Sequence, residues 1–458
     1  MSVAAFTWTG CQYELKGEDF VSSKLVRQSV QDSYLNLHLA LEALREEATA
    51  KHKQGPRVLI VGPTDTGKST LATTLVNYAV RSHRTPAFVD LDIGQGTIGT
   101  PGTIGASVVR APLLPSEKFS NFDNRLLYYY GFLEPSANRD RYNLLVSRLN
   151  DALDSRMSDD SKLRASGCII NTCGWADKDG IKHLADIAER LHCNVIVSFL
   201  SHHLLEMFKT THLTDPVRQT INKLFIHPTL SKQAPTDGST EKPSLRRYEK
   251  DGLSFVELNR SNSVLDRSRD IRRSLRDERV FQYFRGIEMA LAWSETEVDF
   301  GSLTILSVPH KSGLAPAALP HQIGSKHNLL FNLNRVDILD HSPNTLQKIV
   351  GQIGGVLLQR QFPYPTKKQV PPSSLLPSIT PEDLCLEEAS EDVIEKSILS
   401  YKNVVGLVAV KGIKKDNESG QIKVVLICPA TGPLPSNLLI FGNVGWQYIE
   451  QPPLITYH

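Results

Sequence analysis

The chain has 458 residues, more than one ordinary hydrophobic core holds, so its length predicts two or three domains. Its composition, 40% hydrophobic and 22% charged, is that of a globular protein, and a net charge of +2 excludes capture of nucleic acid by an overall positive field. Six scattered cysteines without CxxC spacing, no apolar run of about 18 residues and no signal-peptide pattern predict reduced thiols, no membrane span and an intracellular protein.

The predicted elements alternate between strand and helix through the first half of the chain. Short β segments occupy residues 1–28, and a leucine-rich helix follows from about Val30 to Lys53. The periodicity then predicts a strand over 57–61, a helix over 68–83, strands over 86–92 and 166–173, a helix over 177–191 and a strand over 194–200. Such alternation is typical of an α/β fold, in which helices cover both faces of a mostly parallel sheet.

The second half of the chain has a different pattern. Residues 227–250 are polar and rich in Pro and Ser, which predicts a flexible surface insertion. A strongly charged helix follows over 266–284. From Trp293 onward strands dominate, and those predicted at 302–308, 404–410 and 422–428 indicate a separate β domain.

The sharpest motif is the segment 62–69 (GPTDTGKS), which fits the phosphate-loop pattern GxxxxGK[ST] between a predicted strand and a predicted helix. The backbone N–H groups of such a loop surround phosphates, and the helix N-terminus adds partial positive charge. Lys68 is expected to bind the β and γ phosphates, and the Ser69 hydroxyl to ligate Mg²⁺. The candidate nucleotide-binding residues are Gly62, Thr64, Asp65, Thr66, Gly67, Lys68, Ser69 and Thr70.

Polar residues follow the next two strands of the predicted sheet. The second strand ends with Asp90 and Asp92. Because ligands of open parallel sheets bind at the carboxyl ends of the strands, both carboxylates should face the phosphate loop. Asp92 can hold the Mg²⁺ shell or take a proton from an attacking hydroxyl. Alternation along the strand puts Asp90 on the same face but does not say how close it lies to the phosphate site. The third strand leads to Trp175, which either packs or stacks on a nucleic-acid base.

The charged helix predicted over 266–284 carries a cluster of arginines. At about 100° per residue, its arginines fall within one arc, with Ile271 and Leu275 on the other side. Those arginines are Arg269, Arg272, Arg273, Arg276 and Arg279. Such a face is either a solvated or RNA-contacting surface or, in a phosphate-loop protein, a lid whose arginines stabilise charge on a transferred phosphoryl group.

Taken together, four segments resemble the polyribonucleotide 5′-hydroxyl kinase family, which includes the kinase-like subunit of the pre-mRNA cleavage and polyadenylation machinery. The segments are GPRVLIVGPTDTGKST, FVDLDIGQGTIGTPGTIGA, GCIINTCGW and SRDIRRSLRDERVFQYFRG. The resemblance implies a P-loop sheet flanked by helices, placed between two β domains. It divides the chain into a remnant of the N-terminal β domain (1–28), a kinase domain (29–292) with an arginine-rich lid (267–285) and a C-terminal β domain (293–458).

The resemblance also implies an activity and its residues. Metazoan-like members of the family transfer the γ-phosphate of ATP or GTP to the 5′-hydroxyl end of RNA, with Asp92 matching the proposed general base. The residues that match catalytic positions are Lys68, Asp92, Arg272 and Arg276, and those that match the Mg²⁺ site are Ser69 and Asp92. The residues implied to contact RNA are Gln95, Thr172 and Trp175. The family further implies a nuclear location and partners in mRNA cleavage and polyadenylation factors and in the tRNA-splicing endonuclease complex.

Three departures from the family pattern accompany the resemblance. The chain starts near the end of the family's N-terminal domain, whose residues help to hold the nucleotide base. The segment 227–260 is expanded, and Ser201-His202-His203 replaces the acidic residue that usually follows the fourth strand. Two other functions stay open beside the kinase. One is a catalytically silent, ATP-bound scaffold, and the other is a GTPase, whose guanine-reading motif finds its nearest match at 334–337 (NRVD).

Overall fold

The computed structural model describes residues 30–114, 122, 124–201, 205–206, 208, 245–250, 253–261, 264–286, 291–308, 349–357, 402–415 and 420–446. Four predictions concern residues outside these ranges: the β segments at 1–28, most of the 227–250 insertion, the histidines after Ser201 and the NRVD match at 334–337. Among the described helices, none combines the length and apolar character that crossing a membrane requires.

The first sheet belongs to an α/β unit. Its elements are α1 (Gln31–Ala50), β1 (Arg57–Val61), α2 (Lys68–Arg81), β2 (Ala87–Asp90), β3 (Thr103–Val108), β4 (Leu126–Tyr129), α3 (Arg139–Asp159), α4 (Ser161–Ser166), β5 (Cys168–Asn171), α5 (Lys178–Arg190), β6 (Val195–Ser198), β7 (Leu245–Lys250) and β8 (Leu253–Leu258). The order across the sheet is β4-β3-β2-β5-β1-β6-β8-β7. The five strands in the middle, β2, β5, β1, β6 and β8, pair in parallel, so their carboxyl ends meet at one edge.

Burial explains why four of these five central strands, β1, β2, β5 and β6, were recognisable from sequence. All five residues of β1 are buried, because helices cover both faces of a parallel sheet and such strands are therefore apolar throughout. Four cysteines within the described ranges, Cys168, Cys173, Cys193 and Cys428, are free and buried, as the prediction of reduced thiols requires.

The outer strands differ from the predictions. Strands β3 and β4 run antiparallel at one edge, and β7 pairs antiparallel with β8 at the other. The prediction of a flexible insertion was therefore wrong for residues 245–250, which form β7. Its sequence, LRRYEK, is polar, as edge strands often are, so composition did not separate it from the insertion.

The second sheet forms the C-terminal β region and is preceded by the charged helix α6 (Arg269–Arg285). Its strands are β9 (Ser294–Asp299), β10 (Thr304–Ser307), β11 (Gln352–Leu357), β12 (Val404–Lys415), β13 (Ile422–Cys428) and β14 (Leu438–Gly445). Their order is β10-β14-β11-β12-β13-β9. Apart from the parallel pair β10–β14, the neighbouring strands run antiparallel.

The two sheets meet at the β4 edge of the first one. The Tyr129 hydroxyl donates to the Ile353 carbonyl oxygen at 2.6 Å and accepts from the Gly442 N–H at 3.2 Å. Gly131 and Gly442 lie backbone against backbone, and the N–H of Asn443 donates to the Gly131 carbonyl oxygen at 2.6 Å. The apolar core is accordingly continuous from β2 and β4 to β11, β12 and β14.

Candidate functional site

The phosphate loop, residues 62–69, connects β1 to α2 at the carboxyl edge of the first sheet. Gly62 and Gly67 have φ values of +153° and +94°, which a residue with a Cβ rarely adopts. A Cβ at Gly62 would also come within 2.7 Å of the Cβ of Phe199. The glycines therefore allow the loop to enter the N-terminus of α2, where free N–H groups and the helix dipole favour a phosphate.

Lys68 lies within this loop. The residue is 6% exposed, and its Nζ donates to the Pro63 carbonyl oxygen at 2.6 Å. Burial lowers the pKa of Lys68, and the negative charge of Asp92 opposes that shift. The ammonium group is thus held beside the loop backbone and within the electrostatic reach of Asp92.

The threonines predicted to bind nucleotide differ in their exposure to solvent. Thr66 is buried, and its hydroxyl donates to the Pro63 carbonyl oxygen at 2.9 Å, which stabilises the loop. Thr64 and Thr70 are exposed. Because Thr70 is the third residue of α2, its exposed side chain is open to a ligand at the helix N-terminus.

Asp90 is a structural carboxylate. It is 3% exposed, and its Oδ1 accepts from the N–H of Asp92 and from Nδ2 of Asn171, both at 3.1 Å. Its Oδ2 accepts from the hydroxyl of Thr97 at 2.7 Å and from the Thr97 N–H. These four bonds hold the segment 92–97 against the sheet.

Asp92 has a different environment at the same strand end. It is partly exposed, and its Oδ1 accepts from the N–H groups of Gly94 and Gln95 at 3.0 and 2.9 Å. Burial of the carboxyl group and the neighbouring charge of Asp90 raise the pKa of Asp92. Since both bonds are on Oδ1, Oδ2 is the oxygen that can take a proton or ligate a cation.

Ser69 and Asp92, the predicted Mg²⁺ ligands, are connected through Asn171. The Ser69 hydroxyl donates to Oδ1 of Asn171 at 3.4 Å, and Asn171 donates to Asp90, the neighbour of Asp92. The described residues include no cluster of three or more His, Cys, Asp and Glu side chains that could hold a metal ion. One hydroxyl and one carboxylate nevertheless fit Mg²⁺, which prefers oxygen ligands and usually keeps waters and phosphate oxygens in its shell.

The predicted lid reaches the phosphate loop. Asp65, in the middle of the loop, accepts from the backbone N–H and Nε of Arg267, both at 3.0 Å, and from Nη2 of Arg272 at 2.7 Å. Burial alone would raise the pKa of Asp65, but these hydrogen bonds outweigh it and lower the pKa to about 2. Asp65 is therefore bound to the lid.

A second set of contacts joins α6 to the Asp92 segment. Nε2 of Gln95 donates to the carbonyl oxygen of Arg272 at 3.1 Å, and the Arg279 guanidinium donates to the carbonyl oxygen of Thr97. Burial lowers the pKa of Arg276, while the charges of Asp277 and Asp92 oppose that shift. The structure thus brings Arg272 into contact with the phosphate loop and with Gln95, and it places Arg276 within electrostatic range of Asp92.

The packing of α6 lies at its C-terminal end. Ile271, on the side of the helix opposite the arginines, is 49% exposed and does not enter the core. Instead the last turns of the helix are buried: Phe284 stacks on Trp446 with ring centroids 5.1 Å apart, and Phe281 contacts Trp446 edge-on. The arginine-bearing first turns therefore extend over the site from an anchored C-terminal end.

The residues predicted to contact RNA differ in accessibility. Trp175 is partly exposed just before α5, where its Nε1 donates to Asp177 at 2.9 Å. Gly174, the preceding residue, packs against Thr64 of the phosphate loop. Thr172 is 1% exposed, and its hydroxyl donates to the Ile60 carbonyl oxygen at 2.7 Å. Trp175 and Gln95 are therefore at the site, whereas the position of Thr172 does not favour the contact predicted for it.

Two buried residues, His183 and Tyr142, connect Trp175 to the segment that carries Asp92. His183 contacts the Trp175 ring at 5.4 Å and the Tyr142 ring at 4.8 Å between centroids. The Tyr142 hydroxyl in turn donates to the carbonyl oxygen of Leu91, next to Asp92. Burial lowers the pKa of His183 to about 3, so this imidazole is neutral.

Sequence reasoning missed three contributors to the site: Asn171, Thr97 and Arg267. A polar residue ending an apolar strand was the only signal for Asn171. Arg267 precedes the helix, so the helical arc that selected the other arginines did not include it. Thr97 carried no local signal, because its bonds to Asp90 depend on how the segment 92–97 folds back.

Comparisons with known proteins agree with this geometry. A family model described as "mRNA cleavage and polyadenylation factor CLP1 P-loop" matches residues 62–233, and one described as "N-terminal beta-sandwich domain of polyadenylation factor" matches residues 1–48. Two solved structures are similar in fold. One is a complex of wild-type Clp1p with Pcf11p, and the other describes an extended Pcf11p–Clp1p interface and the loss of ATP in a point mutant. Their TM-scores are 0.58 and 0.59 at 19% identity, over 91% of this chain and 79% and 80% of those chains.

Relatives in sequence extend the comparison. The chain is 34% identical to the polyribonucleotide 5′-hydroxyl-kinase Clp1 of Homo sapiens over 306 residues, which are 67% of this chain and 63% of that protein. It is 31% identical to the CLP1 homolog of Nematostella vectensis over 448 residues, which are 96% of this chain and 84% of that protein. With this coverage and identity, and with the phosphate loop, carboxylates and arginine helix at one site, the chain belongs to the Clp1 family.

Proposed function

We propose that this chain is a kinase that transfers the γ-phosphate of ATP to the 5′-hydroxyl end of RNA. The observation that carries the proposal is the convergence of the phosphate-loop Lys68, the carboxylate of Asp92 and the arginines of α6 at one sheet edge. These are the three charge types that phosphoryl transfer needs: a phosphate-binding cation, a proton acceptor and a cation that neutralises the transferred group. The names of the human and other vertebrate relatives support the same activity.

Each residue has a separate task in the proposed reaction. ATP supplies the transferable phosphoryl group. Ser69 would ligate Mg²⁺ with Asp92 in the outer shell of the ion, and the bound ion would neutralise phosphate charge. Lys68 exchanges its contact with Pro63 for phosphate oxygens. The Asp92 carboxylate accepts the proton of the 5′-hydroxyl, a task for which its raised pKa suits it. Arg272 and Arg276 approach the transferred group from the lid and help to exclude water.

The terminal nucleotide is expected at the open edge beside Trp175 and Gln95. The partly exposed indole lies next to the phosphate loop and offers a stacking surface for a base. The 2′-hydroxyl is the natural feature by which such a site separates RNA from DNA. GTP as an alternative phosphate donor belongs to the same proposal.

The wider role follows from the relatives. The similar solved structures contain Pcf11p bound to Clp1p, which supports a place for this chain in mRNA 3′-end processing together with cleavage and polyadenylation factors. We include in the proposal a nuclear location and a contribution to tRNA splicing with the tRNA-splicing endonuclease complex. Both depend on membership in the family rather than on a contact in this structure.

The second candidate function is a silent scaffold that keeps ATP bound and docks cleavage factors. The specific observation in its favour is the stable attachment of the lid to the loop through Asp65, which would suit permanent nucleotide retention. The kinase is favoured because the phosphate loop, Asp92 and the lid arginines are all in place. The GTPase alternative has less support, since its guanine-reading match lies outside the described residues.

The test is transfer of labelled γ-phosphate from ATP to an RNA oligomer with a 5′-hydroxyl, measured for the wild type and for Lys68→Ala. We expect transfer by the wild type and a loss of at least about 100-fold in the variant, because phosphate-binding cations are worth several kcal/mol in the transition state. An oligomer that already carries a 5′-phosphate is the control acceptor. A folded wild type that binds ATP and transfers nothing would leave the scaffold as the better account.

A further inference from the structure

We propose that Asp65 is a positioning residue, which holds Arg267 and Arg272 so that the lid stays in register over the phosphate loop. The proposal concerns a carboxylate within a loop that binds phosphates, where a negative charge repels the ligand unless it is compensated. The effect of Asp65 on catalysis rests on the proposed kinase function, whereas its contact with Arg267 and Arg272 does not.

The contact is specific in its geometry. Both oxygens of Asp65 are occupied: Oδ1 by Nε of Arg267 at 3.0 Å, and Oδ2 by the Arg267 N–H at 3.0 Å and Nη2 of Arg272 at 2.7 Å. Two of these bonds come from charged donors, and such bonds are stronger than neutral ones. A carboxylate bound through both oxygens in this way is a partner of the lid.

Burial distinguishes these pairs from ordinary surface ion pairs. The Asp65 side chain is 5% exposed, while those of Arg267 and Arg272 are 43% and 28% exposed. Because little of the Asp65 side chain is exposed, the attraction is screened less than in a pair exposed on both sides. The hydrogen bonds lower the pKa of Asp65 to about 2, so the carboxylate keeps its charge at any working pH.

Arg272 is held from two sides. Its guanidinium contacts Asp65 on the phosphate loop, and its carbonyl oxygen accepts from Gln95 on the segment that carries Asp92. A guanidinium has five N–H donors in a fixed fork, so the bond from Nη2 leaves donors for a phosphate oxygen. Asp65 therefore sets the position of Arg272 between the phosphate site and the proton acceptor.

The test begins with hydrogen exchange in the nucleotide-free protein, measured on the amides of 267–276 in the wild type, Asp65→Asn and Asp65→Ala. We expect exchange in this segment to be about 10-fold faster or more in both variants, with exchange in 281–285 unchanged, because only the first turns lose an anchor. The matched control is Asp266→Ala, which removes the same charge from an exposed pair with Arg260 beside the lid. Unchanged exchange in both Asp65 variants would overturn the proposal.

Kinetics provide the second readout. In single-turnover transfer to 5′-hydroxyl RNA, Asp65→Ala is expected to be about 10- to 100-fold slower, since a misplaced catalytic group has an effect of that order. ATP affinity should change less than about 3-fold, and Asp65→Ala/Arg272→Ala should be no slower than Arg272→Ala, because the two residues act as a unit. Parallel loss of ATP affinity and rate, or multiplying effects in the double variant, would contradict a positioning role. If the wild type transfers no phosphate, the kinase proposal fails while the exchange result still decides the role of Asp65.

Discussion

At the scale of single residues, Asp90 and Asp92 show how two identical side chains acquire opposite roles. Asp90 accepts four hydrogen bonds and has no capacity left for chemistry, whereas Asp92 accepts two on one oxygen. Strand alternation placed both on the face of the phosphate loop but could not tell them apart. Their difference depends on Thr97 and Asn171, which reach Asp90 only after the chain has folded back.

We predict opposite stability changes for the two asparagine variants. The pKa of Asp92 in the folded protein is raised, so its ionised form lowers the stability at neutral pH, and protonation relieves this as the pH falls. Asp92→Asn should therefore raise the free energy of unfolding by about 1 kcal/mol at pH 7. The gain should shrink as the pH falls and vanish below the unfolded-state pKa of about 3.9.

Asp90→Asn is the matched control. An amide nitrogen cannot accept a hydrogen bond, so at least one of the groups that donate to Asp90 loses its acceptor. We therefore expect the free energy of unfolding to fall by roughly 1–3 kcal/mol. Urea unfolding at several pH values measures both variants. If Asp92→Asn destabilised the protein at pH 7 as much as Asp90→Asn does, the distinction between a functional and a structural carboxylate would be wrong.

At the scale of elements, α6 is a helix whose extent the sequence predicted but whose packing contacts it did not. Its periodicity predicted residues 266–284, close to the observed Arg269–Arg285, and grouped the arginines. It placed Ile271 opposite the arginines without saying which residues pack, and the buried residues are Val280, Phe281, Gln282 and Phe284 near the end. Periodicity describes a face along a whole helix, and it cannot show that the partner, Trp446, contacts only the last turns.

Trp446 is expected to be essential for anchoring the lid helix. It is 2% exposed and contacts Phe281, Phe284 and Trp293, so Trp446→Ala removes the centre of this cluster. We expect a loss of about 3–5 kcal/mol in the free energy of unfolding. Leu291→Ala, at a side chain beside the end of α6 that is 58% exposed, is the control and should change stability by less than about 0.5 kcal/mol. Equal effects of the two variants would contradict the proposed anchor.

At the scale of the whole molecule, the sequence predicted an α/β unit and a separate β region but not how they join. The alternation of short apolar segments with helices identified β1, β2, β5 and β6, because parallel strands covered on both faces are apolar throughout. Strands β3 and β4 escaped prediction, as did the long helix α3, which has charged residues along most of its length. The junction depends on Gly131 and Gly442, which are far apart in the chain, and no local pattern encodes such a contact.

The junction makes a prediction about Gly442. A Cβ there would clash with the backbone of Gly131, so Gly442→Ala should separate the sheets locally and lower the free energy of unfolding by about 1–3 kcal/mol. Gly412→Ala is the matched control, since a Cβ at that position of the same sheet meets nothing within 4 Å. We expect the control to be neutral or slightly stabilising. Thermal unfolding of the two variants side by side decides whether close contact at Gly442 holds the sheets together.

The measurement that tests the central claim most directly is single-turnover phosphate transfer to a 5′-hydroxyl RNA by the wild type and Asp92→Asn, both saturated with ATP. We predict that the wild type phosphorylates the RNA and that Asp92→Asn binds ATP with similar affinity but transfers at least about 100-fold more slowly, because its amide cannot accept the proton. A wild type that binds ATP without transfer would contradict the kinase. An Asp92→Asn variant as fast as the wild type would contradict the role of Asp92 as the proton acceptor.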